Sequence, residues 1–288
     1  MFSTGMLNKS MLMNNFQIKN IVLVFVLLLL TACSPKLSRT NKYSNSAVAN
    51  VSPILNNILG RDTIMIGTTG DFMPFSYKID SSNNYLGIDI AMAKDLAKHL
   101  GVKLKFIETT WPTLMTDLME GKFDVGMSGI TITSAREKQA LFSIPVYSSG
   151  KVAITRDENV SIYNSIESIN RKEVKVIFNP GGTNESFARE NFPKATLILN
   201  EDNITIFQKL IDKQADVMVT DAIETRIQEQ IHKELEAVNL NKPFNSFDFG
   251  YLIQKDSVFK RVIDEWLLVK KQDSIVEKLL QQEIAKLE

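Results

Sequence analysis

Apolar residues in the first half of the chain alternate between strand-like runs and helical spacing. Residues 63–68 form a short apolar strand, and residues 87–100 carry apolar side chains three and four positions apart before Gly101. Residues 102–107 predict a second strand, residues 111–119 a helix with Pro112 in its first turn, and residues 124–127 a third strand. Strands that alternate with helices are typical of parallel βαβ units.

A second set of elements repeats this order. Strands are predicted at 174–178, 196–199 and 216–219, and helices at 184–191, 205–213 and 222–234. Two extended stretches, 143–155 and 247–254, lead into and out of this set, and a helical region ends the chain. The pattern predicts an α/β protein of two lobes joined by two crossover strands, a hinged clamshell. Lobe 1 is then 61–148 plus 252–288, and lobe 2 is 149–251. Ligands of open α/β sheets bind at the carboxyl ends of the strands, which face each other across such a cleft.

The N-terminal region has the pattern of an export signal. Residues 21–30 are an unbroken apolar run preceded by Lys9 and Lys19, and the run is too short to span a bilayer. The residues from Leu30 to Cys33 resemble a bacterial lipobox, in which the cysteine is lipidated. The alternative is a plain signal peptide with an incidental cysteine, and Met13 is an alternative start. Residues 34–60 are rich in Ser, Asn and Lys, and they predict a flexible tether between the lipid and the clamshell. The protein is therefore expected to face the periplasm from a bacterial membrane.

Composition narrows the possible chemistry. Lys plus Arg and Asp plus Glu both number 33, so the net charge of zero favours neither nucleic acid nor an anionic membrane surface as a partner. One cysteine excludes an intramolecular disulfide, and one cysteine with two histidines nearly excludes a zinc site. Phosphate-binding glycine motifs are absent. Any chemistry must therefore use carboxylates, hydroxyls and cationic side chains.

Two loops of lobe 1 carry candidate binding residues. The first follows the first strand and offers Asp71 and Phe75, with Trp111 at the next helix as a further candidate; the alternative is a polar turn with core aromatics. The second runs from Ser128 through Thr133, a candidate helix cap, to Arg136. A cation in a first helical turn opposes the helix dipole, which favours an anionic partner such as a carboxylate. The alternative is a surface salt bridge with Glu137 or another acid.

Lobe 2 adds polar residues at two strand ends and a cation in the first crossover. Thr183, Asn184 and Glu185 follow a glycine turn that opens a helix, where free N–H groups bind anions. Glu185 has a second interpretation, because acids are favoured in a first helical turn. Asp221 ends the last strand and either binds an ammonium group or caps the next helix. Lys151 is either a second binding cation or a solvated lysine at the hinge.

The order of these motifs resembles the amino-acid-binding family of periplasmic solute-binding proteins, over about 61–288. The resemblance implies a periplasmic-binding-protein-like clamshell of type II. It also implies that Arg136 binds a ligand carboxylate and Asp221 a ligand ammonium. Within that family, five runs are more specifically similar to cyclohexadienyl dehydratases: GTTGDFMPFSY, DVGMSGITIT, NPGGTNESFARENF, NITIFQ and DVMVTDAIETR.

The closer resemblance implies a carbon–oxygen lyase of phenylalanine biosynthesis that acts on prephenate, arogenate or both, with Glu185 as general acid. Aromatisation would supply the driving force of that reaction, so no metal or organic cofactor is expected. A helix N-terminus lowers a carboxyl pKa, however, whereas an acid catalyst needs a raised one. The alternatives are an amino-acid-binding lipoprotein of an ABC importer and a sensory module. Prephenate-versus-arogenate preference and oligomeric state are left open.

Overall fold

A computed structural model describes residues 52–79 and 84–287. The predicted signal, the lipobox at Cys33 and most of the predicted tether lie outside these residues. Elements are numbered below in chain order within the described part. No helix in this part is both long and apolar enough to cross a bilayer.

A five-stranded sheet forms the centre of lobe 1, in the order β5-β1-β6-β15-β7. Its strands are β1 (Thr63–Thr68), β5 (Lys103–Glu108), β6 (Val125–Gly126), β7 (Leu141–Phe142) and β15 (Leu252–Ile253). β1 runs parallel to β5 and β6, whereas β15 runs antiparallel to β6 and β7. The chain therefore returns to lobe 1 through β15. A small antiparallel sheet, β2 (Asp71–Phe72), β3 (Ser76–Lys78) and β4 (Tyr85–Leu86), lies beyond the end of β1.

Six helices belong to lobe 1: α1 (Pro53–Gly60), α2 (Ile88–Leu100), α3 (Leu114–Met119), α4 (Ser134–Glu137), α9 (Ser257–Gln272) and α10 (Ile275–Ala285). The apolar stripe of α2 is buried, and the helix ends at Gly101 with φ of 72°. Trp266 of α9 lies in the same core, 2% exposed. Burial of these apolar stripes is the main stabilising contribution to the lobe.

A second five-stranded sheet forms lobe 2, in the order β11-β10-β12-β9-β13. Its strands are β9 (Lys151–Arg156), β10 (Lys175–Phe178), β11 (Thr196–Leu199), β12 (Val217–Asp221) and β13 (Leu235–Val238). β10 is parallel to β11 and β12, and β9 is antiparallel to β12 and β13. The accompanying helices are α5 (Ile166–Ile169), α6 (Thr183–Asn191), α7 (Ile206–Ile211) and α8 (Ala222–Ile231), with 3₁₀ turns at Asp157–Asn159 and Asn203–Thr205.

The two crossovers pair with each other. β8 (Tyr147–Ser149) and β14 (Phe247–Phe249) form an antiparallel two-stranded sheet in which Tyr147 lies opposite Phe249. The predicted two-lobed α/β clamshell with two crossover strands is confirmed. Paired crossovers of this kind are a suitable hinge, because they leave each lobe with its own sheet and core.

Several predicted boundaries need correction. The predicted tether included 53–60, but Pro53–Gly60 is a helix with Leu55 and Ile58 fully buried. Ser52 caps it and also donates to the Asp256 carboxylate at 2.8 Å, so tertiary contacts hold a segment whose composition predicted flexibility. Helix α3 begins at Leu114 rather than at 111, because 111–113 form a turn closed by the Thr110 carbonyl.

Candidate functional site

The two lobes meet around a small enclosed cavity at the carboxyl ends of their strands. Lobe 1 contributes Phe72, Trp111, Gly129, Thr131 and Arg136 to its wall. Lobe 2 contributes Asn179, Gly182, Thr183, Asn184, Asn203 and Asp221. The cavity volume is about 20 Å³, roughly the space of one water molecule. The cleft is therefore closed, and a larger molecule enters only if the lobes separate.

Two contacts between the lobes define this closed form. Asn203 of lobe 2 donates from Nδ2 to the carbonyl oxygen of Asp71 in lobe 1, at 3.0 Å. Gly181 of lobe 2 lies so close to lobe 1 that a Cβ there would be 2.5 Å from the Cα of Pro112. Gly181 also has φ of 75°, a conformation that glycine adopts without steric cost.

Arg136 reaches the cavity from the four-residue helix α4. Thr133 caps this helix by accepting a hydrogen bond from the Arg136 backbone N–H at 3.3 Å. The guanidinium Nη1 donates to the Thr131 carbonyl at 2.8 Å, and the residue is 9% exposed. Burial lowers the Arg136 pKa to about 10, with the charge of Asp221 opposing that shift, so the group remains a cation at neutral pH. Within residues 52–79 and 84–287, Arg136 pairs with no carboxylate; the alternative salt bridge with Glu137 is not formed.

Lys151 and Asp221 form a buried ion pair in lobe 2. They lie opposite each other on β9 and β12, and Lys151 Nζ donates to Asp221 Oδ1 at 2.6 Å. Lys151 also donates to Thr183 Oγ1 at 3.0 Å and to Asn184 Oδ1. It is 2% exposed, which excludes the interpretation as a solvated hinge lysine. An ammonium of the protein itself therefore occupies the position beside Asp221 that the family resemblance reserved for a ligand ammonium.

A hydrogen-bonded chain leads from this pair to Glu224, a residue that the sequence analysis did not select. Asn184 Nδ2 donates to Thr220 Oγ1 at 3.0 Å, and Thr220 donates to Glu224 Oε2. Glu224 is 1% exposed, and its burial raises its pKa to about 8; the charges of Asp221 and Asp71 add to the shift, and Thr220 and Lys151 oppose it. The carboxyl is thus neutral at pH 7. The spacing of Asp221 and Glu224 could have indicated it. Glu224 lies three positions after Asp221, which places both residues on the same side of the first turn of α8.

Glu185, predicted as the general acid, is in a different environment. Its carboxylate accepts from the Gly181 N–H at 2.7 Å and from Arg189 Nε at 2.8 Å, and the side chain is 24% exposed. The Gly181 hydrogen bond, followed in importance by the pairing with Arg189, lowers the Glu185 pKa despite partial burial. Neither Glu185 nor Glu224 is among the residues that line the cavity. The sequence analysis anticipated this lowering by the helix N-terminus, and the structure shows no compensating burial.

The remaining predicted site residues either line the cavity or support its wall from behind. Trp111 lines the cavity and donates from Nε1 to both oxygens of the Asp71 carboxylate, at 3.0 and 3.1 Å. Burial raises the Asp71 pKa, and the hydrogen bonds oppose the shift. Phe72, not Phe75, forms the aromatic wall, because Phe75 is 1% exposed and stacks behind Phe72.

Ser128 also supports the site from behind the wall. Its Oγ accepts from the Thr69 backbone N–H at 3.1 Å, and its side chain is fully buried. Thr133 acts as the cap of α4, as described above. Asn179, Asn203 and Thr131 are wall residues that the sequence analysis missed; they precede or follow glycine turns and 3₁₀ turns whose direction depends on tertiary packing.

No cluster of three or more His, Cys, Asp or Glu side chains within the described part of the chain is arranged to hold a metal ion. The polar groups at or near the cavity are instead the guanidinium of Arg136, one ammonium–carboxylate pair, three amides and the buried carboxyl of Glu224. Such a set can bind a carboxylate, orient it, and supply a proton.

Comparison with known proteins assigns the chain to a protein family. The family model of bacterial extracellular solute-binding proteins, family 3, matches residues 64–288. The cyclohexadienyl dehydratase of Pseudomonas aeruginosa is 44% identical over 222 residues, which are 77% of this chain and 82% of that protein. The L-cystine-binding protein TcyJ of Escherichia coli is 29% identical over 59% of this chain and 63% of that protein.

Solved structures agree with these sequence matches. The ancestral amino-acid-binding protein AncCDT-1, described as a precursor of cyclohexadienyl dehydratase, superimposes with a TM-score of 0.74 at 36% identity, covering 80% of this chain and 99% of that one. An arginine-bound substrate-binding protein of Streptococcus pneumoniae shares the fold, with a TM-score of 0.75 at 23% identity over 81% of this chain and 98% of that one. The chain belongs to family 3 of the bacterial extracellular solute-binding proteins.

Proposed function

We propose that this chain is a dehydratase that removes water and carbon dioxide from prephenate, arogenate or both, and is thus a carbon–oxygen lyase. The observation that carries the proposal is Arg136, a buried guanidinium that lines the cavity and pairs with no carboxylate of the described residues. The 44% identity to a cyclohexadienyl dehydratase supports the same activity.

The chemistry needs little beyond binding and one proton. The substrate ring carries a carboxylate at C1 and a hydroxyl at C4, and loss of both groups produces an aromatic ring. Aromatisation supplies the driving force, but hydroxide is a poor leaving group. A positioned general acid that protonates it contributes roughly 100- to 10,000-fold to the rate.

Arg136 is the proposed anchor for a substrate carboxylate, and Lys151 positions the wall residues beside it. The guanidinium of Arg136 is buried and pairs with no carboxylate of the described residues, so its planar fork is available for a carboxylate of the substrate. Lys151 is a second buried cation, and its three N–H groups are directed at Thr183, Asn184 and Asp221. It therefore fixes those wall residues, while Arg136 fixes the substrate carboxylate relative to them.

The proton donor in this proposal is Glu224 rather than Glu185. A general acid at neutral pH needs a carboxyl pKa near 7, and burial supplies that for Glu224. Glu185 has a lowered pKa and an arginine partner. Neither glutamate lines the cavity in the closed form, so the difference between them is protonation. Thr220 donates to Oε2 of Glu224, and Oε1 has no hydrogen-bond partner among the described residues, so Oε1 is the oxygen that carries the proton.

One pair of variants tests the assignment. Glu224→Gln keeps the size of the side chain and removes its proton, so turnover of prephenate should fall by roughly 100-fold or more while KM changes little. Glu185→Gln makes the same chemical change at a partly exposed ion pair and should stay within a few-fold of wild type. Phenylpyruvate formation followed by ultraviolet absorbance measures both. The opposite ranking would return the role to Glu185, and two fully active variants would exclude both.

The competing function is delivery of an amino acid to an ABC importer, as the name of the Bacillus subtilis relative, an ABC transporter glutamine-binding protein at 28% identity, describes for that protein. The Lys151–Asp221 pair argues against it, because a ligand ammonium would meet a carboxylate that is already paired. Tight binding of an amino acid without any turnover of prephenate would favour the importer.

Export and lipid anchoring complete the proposal. Membership of an extracellular family supports export, and the single cysteine at the lipobox position supports lipidation at Cys33. Cys33→Ser should release the protein to the soluble fraction with its activity intact. A wild-type protein that takes up no labelled fatty acid would leave the plain signal peptide as the explanation.

A further inference from the structure

The side-chain amide of Asn203 has one end committed and one end free. Asn203 opens the 3₁₀ turn Asn203–Thr205 of lobe 2, lines the site cavity and is 7% exposed. Its Nδ2 donates to the Asp71 carbonyl of lobe 1 at 3.0 Å. Its Oδ1 is buried and has no hydrogen-bond partner among the described residues. A buried amide oxygen without a partner costs free energy, so this atom calls for a ligand.

The contact with Asp71 fixes which way the amide points. A carbonyl oxygen only accepts hydrogen bonds, so Nδ2 must face Asp71 and Oδ1 must face away from it. The turn is held by its own hydrogen bonds. The Asp202 carboxylate accepts from the Ile204 N–H at 3.0 Å, and the Thr205 hydroxyl donates to the Asp202 carbonyl at 3.0 Å. The free acceptor therefore belongs to a fixed turn that is also tied across the cleft.

The other two amide oxygens of the cavity wall are already engaged. Asn179 Oδ1 accepts from Asn184 Nδ2 at 3.2 Å, and Asn184 Oδ1 accepts from the Lys151 ammonium. All three amides lie in the described part of the chain, and of the three, Asn203 is the one whose oxygen can accept a hydrogen bond from a ligand. The cavity thus offers a ligand the guanidinium of Arg136 and the amide oxygen of Asn203.

The proposed substrates have one hydrogen-bond donor in common. Their carboxylates and the keto group of prephenate only accept hydrogen bonds, whereas the C4 hydroxyl has an O–H to donate. Arogenate adds an ammonium but carries the same hydroxyl. This hydroxyl lies across the ring from C1, which bears the ring carboxylate and the side chain. A substrate held by Arg136 through a carboxylate therefore needs an acceptor for its hydroxyl elsewhere in the cavity.

We propose that Asn203 Oδ1 accepts a hydrogen bond from the C4 hydroxyl of the substrate when the lobes close. Asn203 is then a specificity-determining residue, because a ligand without this hydroxyl leaves the amide oxygen unpartnered. The hydrogen bond also leaves the lone pairs of the hydroxyl oxygen free to take a proton from a general acid. This inference rests on the proposed dehydratase function, but it does not depend on which glutamate donates the proton.

Two matched fragments test the contact without turnover. Each stereoisomer of 4-hydroxycyclohexanecarboxylate carries a carboxylate and a hydroxyl across a ring, and cyclohexanecarboxylate lacks only the hydroxyl. The full wild-type chain should bind the better hydroxy isomer roughly tenfold more tightly than cyclohexanecarboxylate, as expected when a buried acceptor gains a partner. Ligand-observed NMR titration gives the dissociation constants. Equal affinities would overturn the proposal, and this measurement needs no variant.

Asn203→Leu tests whether the preference comes from this residue. Leucine has the same branched shape but no oxygen, so the preference for the hydroxy fragment should disappear. The substitution also removes the Nδ2 hydrogen bond across the cleft, and Gly181→Ala is the control for that loss. Its added Cβ would lie 2.5 Å from the Pro112 Cα and oppose closure around either fragment. Both affinities should then fall while the preference remains. A preference that survives Asn203→Leu would contradict the assignment.

Kinetics separate this inference from the proposed function. Asn203→Leu should lower kcat/KM for prephenate at least tenfold and change the inhibition constant of phenylpyruvate, which has no hydroxyl, much less. Equal changes in both constants would overturn the inference, since weaker closure alone predicts them. If the wild-type chain prefers the hydroxy fragment but does not turn over prephenate, the proposed function fails and the hydroxyl contact stands. Turnover of prephenate with equal affinity for the two fragments would remove this inference alone.

Discussion

At the scale of single residues, Arg136 combines burial with the lack of a carboxylate partner among the described residues. Arg136→Lys keeps the charge but loses the planar fork, and it should raise KM for prephenate. Arg136→Ala should cost more, about 2–5 kcal/mol of binding if the contact is fully desolvated. Steady-state kinetics on both variants measures this, and an unchanged KM in both would remove Arg136 from the binding site.

Lys151 bears on the choice between the two substrates. Its ammonium neutralises Asp221 in the closed cleft, so a keto acid such as prephenate meets no free carboxylate, whereas the ammonium of arogenate competes with Lys151. Wild type should therefore prefer prephenate. Lys151→Met keeps the length of the side chain and frees Asp221, so kcat/KM should shift toward arogenate. A ratio of the two kcat/KM values that is unchanged by the substitution would contradict this account.

Glu224 predicts a characteristic pH profile. The acid form is the active form, and its pKa is raised by burial to about 8. The kcat/KM for prephenate should be level from about pH 6 to 7.5 and fall about tenfold per pH unit well above 8. If Glu185 were the acid, its lowered pKa would make activity fall with rising pH already below pH 5. The measured profile therefore distinguishes the two residues without a substitution.

At the scale of elements, the glycine turn that opens α6 controls closure as well as anion binding. Gly181→Ala adds a Cβ that would lie 2.5 Å from the Pro112 Cα of the other lobe. The clash is between lobes, so it should oppose closure more than folding. We expect kcat/KM to fall at least tenfold and small-angle scattering with product to show a larger radius of gyration.

Gly121→Ala is the matched control for that substitution. Gly121 has φ of 71°, close to the 75° of Gly181, but its added Cβ would be 3.6 Å from the nearest atom, in Gln254. It therefore reproduces the backbone strain, about 1–2 kcal/mol of stability, without the clash between lobes. Equal losses of activity in the two variants would mean that strain, not closure, explains the effect.

The predicted and observed helices and strands agree where the hydrophobic pattern alone decides, and differ where packing against distant residues decides. Strand 175–178 and the interior of α2 follow their hydrophobic pattern closely, because their apolar faces are buried by neighbouring elements. Helix α1 was missed because the polar composition of the preceding residues was extended to residue 60, although Leu55 and Ile58 stand at helical spacing and pack into the core of lobe 1. β13 was missed because Leu235–Val238 becomes a strand by pairing with β9, a partner distant in sequence.

At the scale of the whole molecule, buried neutral carboxyls couple folding to pH. Burial raises the pKa of Asp89 to about 7 and that of Glu224 to about 8, above their unfolded values near 4. Each contributes stability that is complete below the unfolded pKa and is lost as pH rises through the folded pKa. His232 acts in the opposite direction, since burial lowers its pKa.

Glu224→Gln isolates one of these contributions. Wild type should lose stability relative to Glu224→Gln as pH rises from 5 to 8, by up to about 1.4 kcal/mol per pH unit. Urea unfolding at pH 5, 6.5 and 8 measures the difference. A constant difference across this range would show that Glu224 does not take up a proton on folding.

The sequence by itself determined the two α/β lobes, the two crossovers and most of the polar loops at the strand ends. These features follow from periodicity and glycine turns, which are local properties of the chain. It also selected Arg136, Asp221, Thr183, Asn184 and Lys151, because charged and hydroxyl groups at strand ends are visible in a single sequence.

Only the tertiary structure decided what these groups do to one another. The pairing of Lys151 with Asp221 depends on the antiparallel register of β9 and β12, which brings together residues 70 positions apart. The difference between Glu185 and Glu224 depends on burial: both are glutamates in a first helical turn, yet one pKa is lowered and the other is raised. Desolvation is a property of the closed, packed lobes, so no local pattern in the sequence reveals which carboxyl keeps its proton.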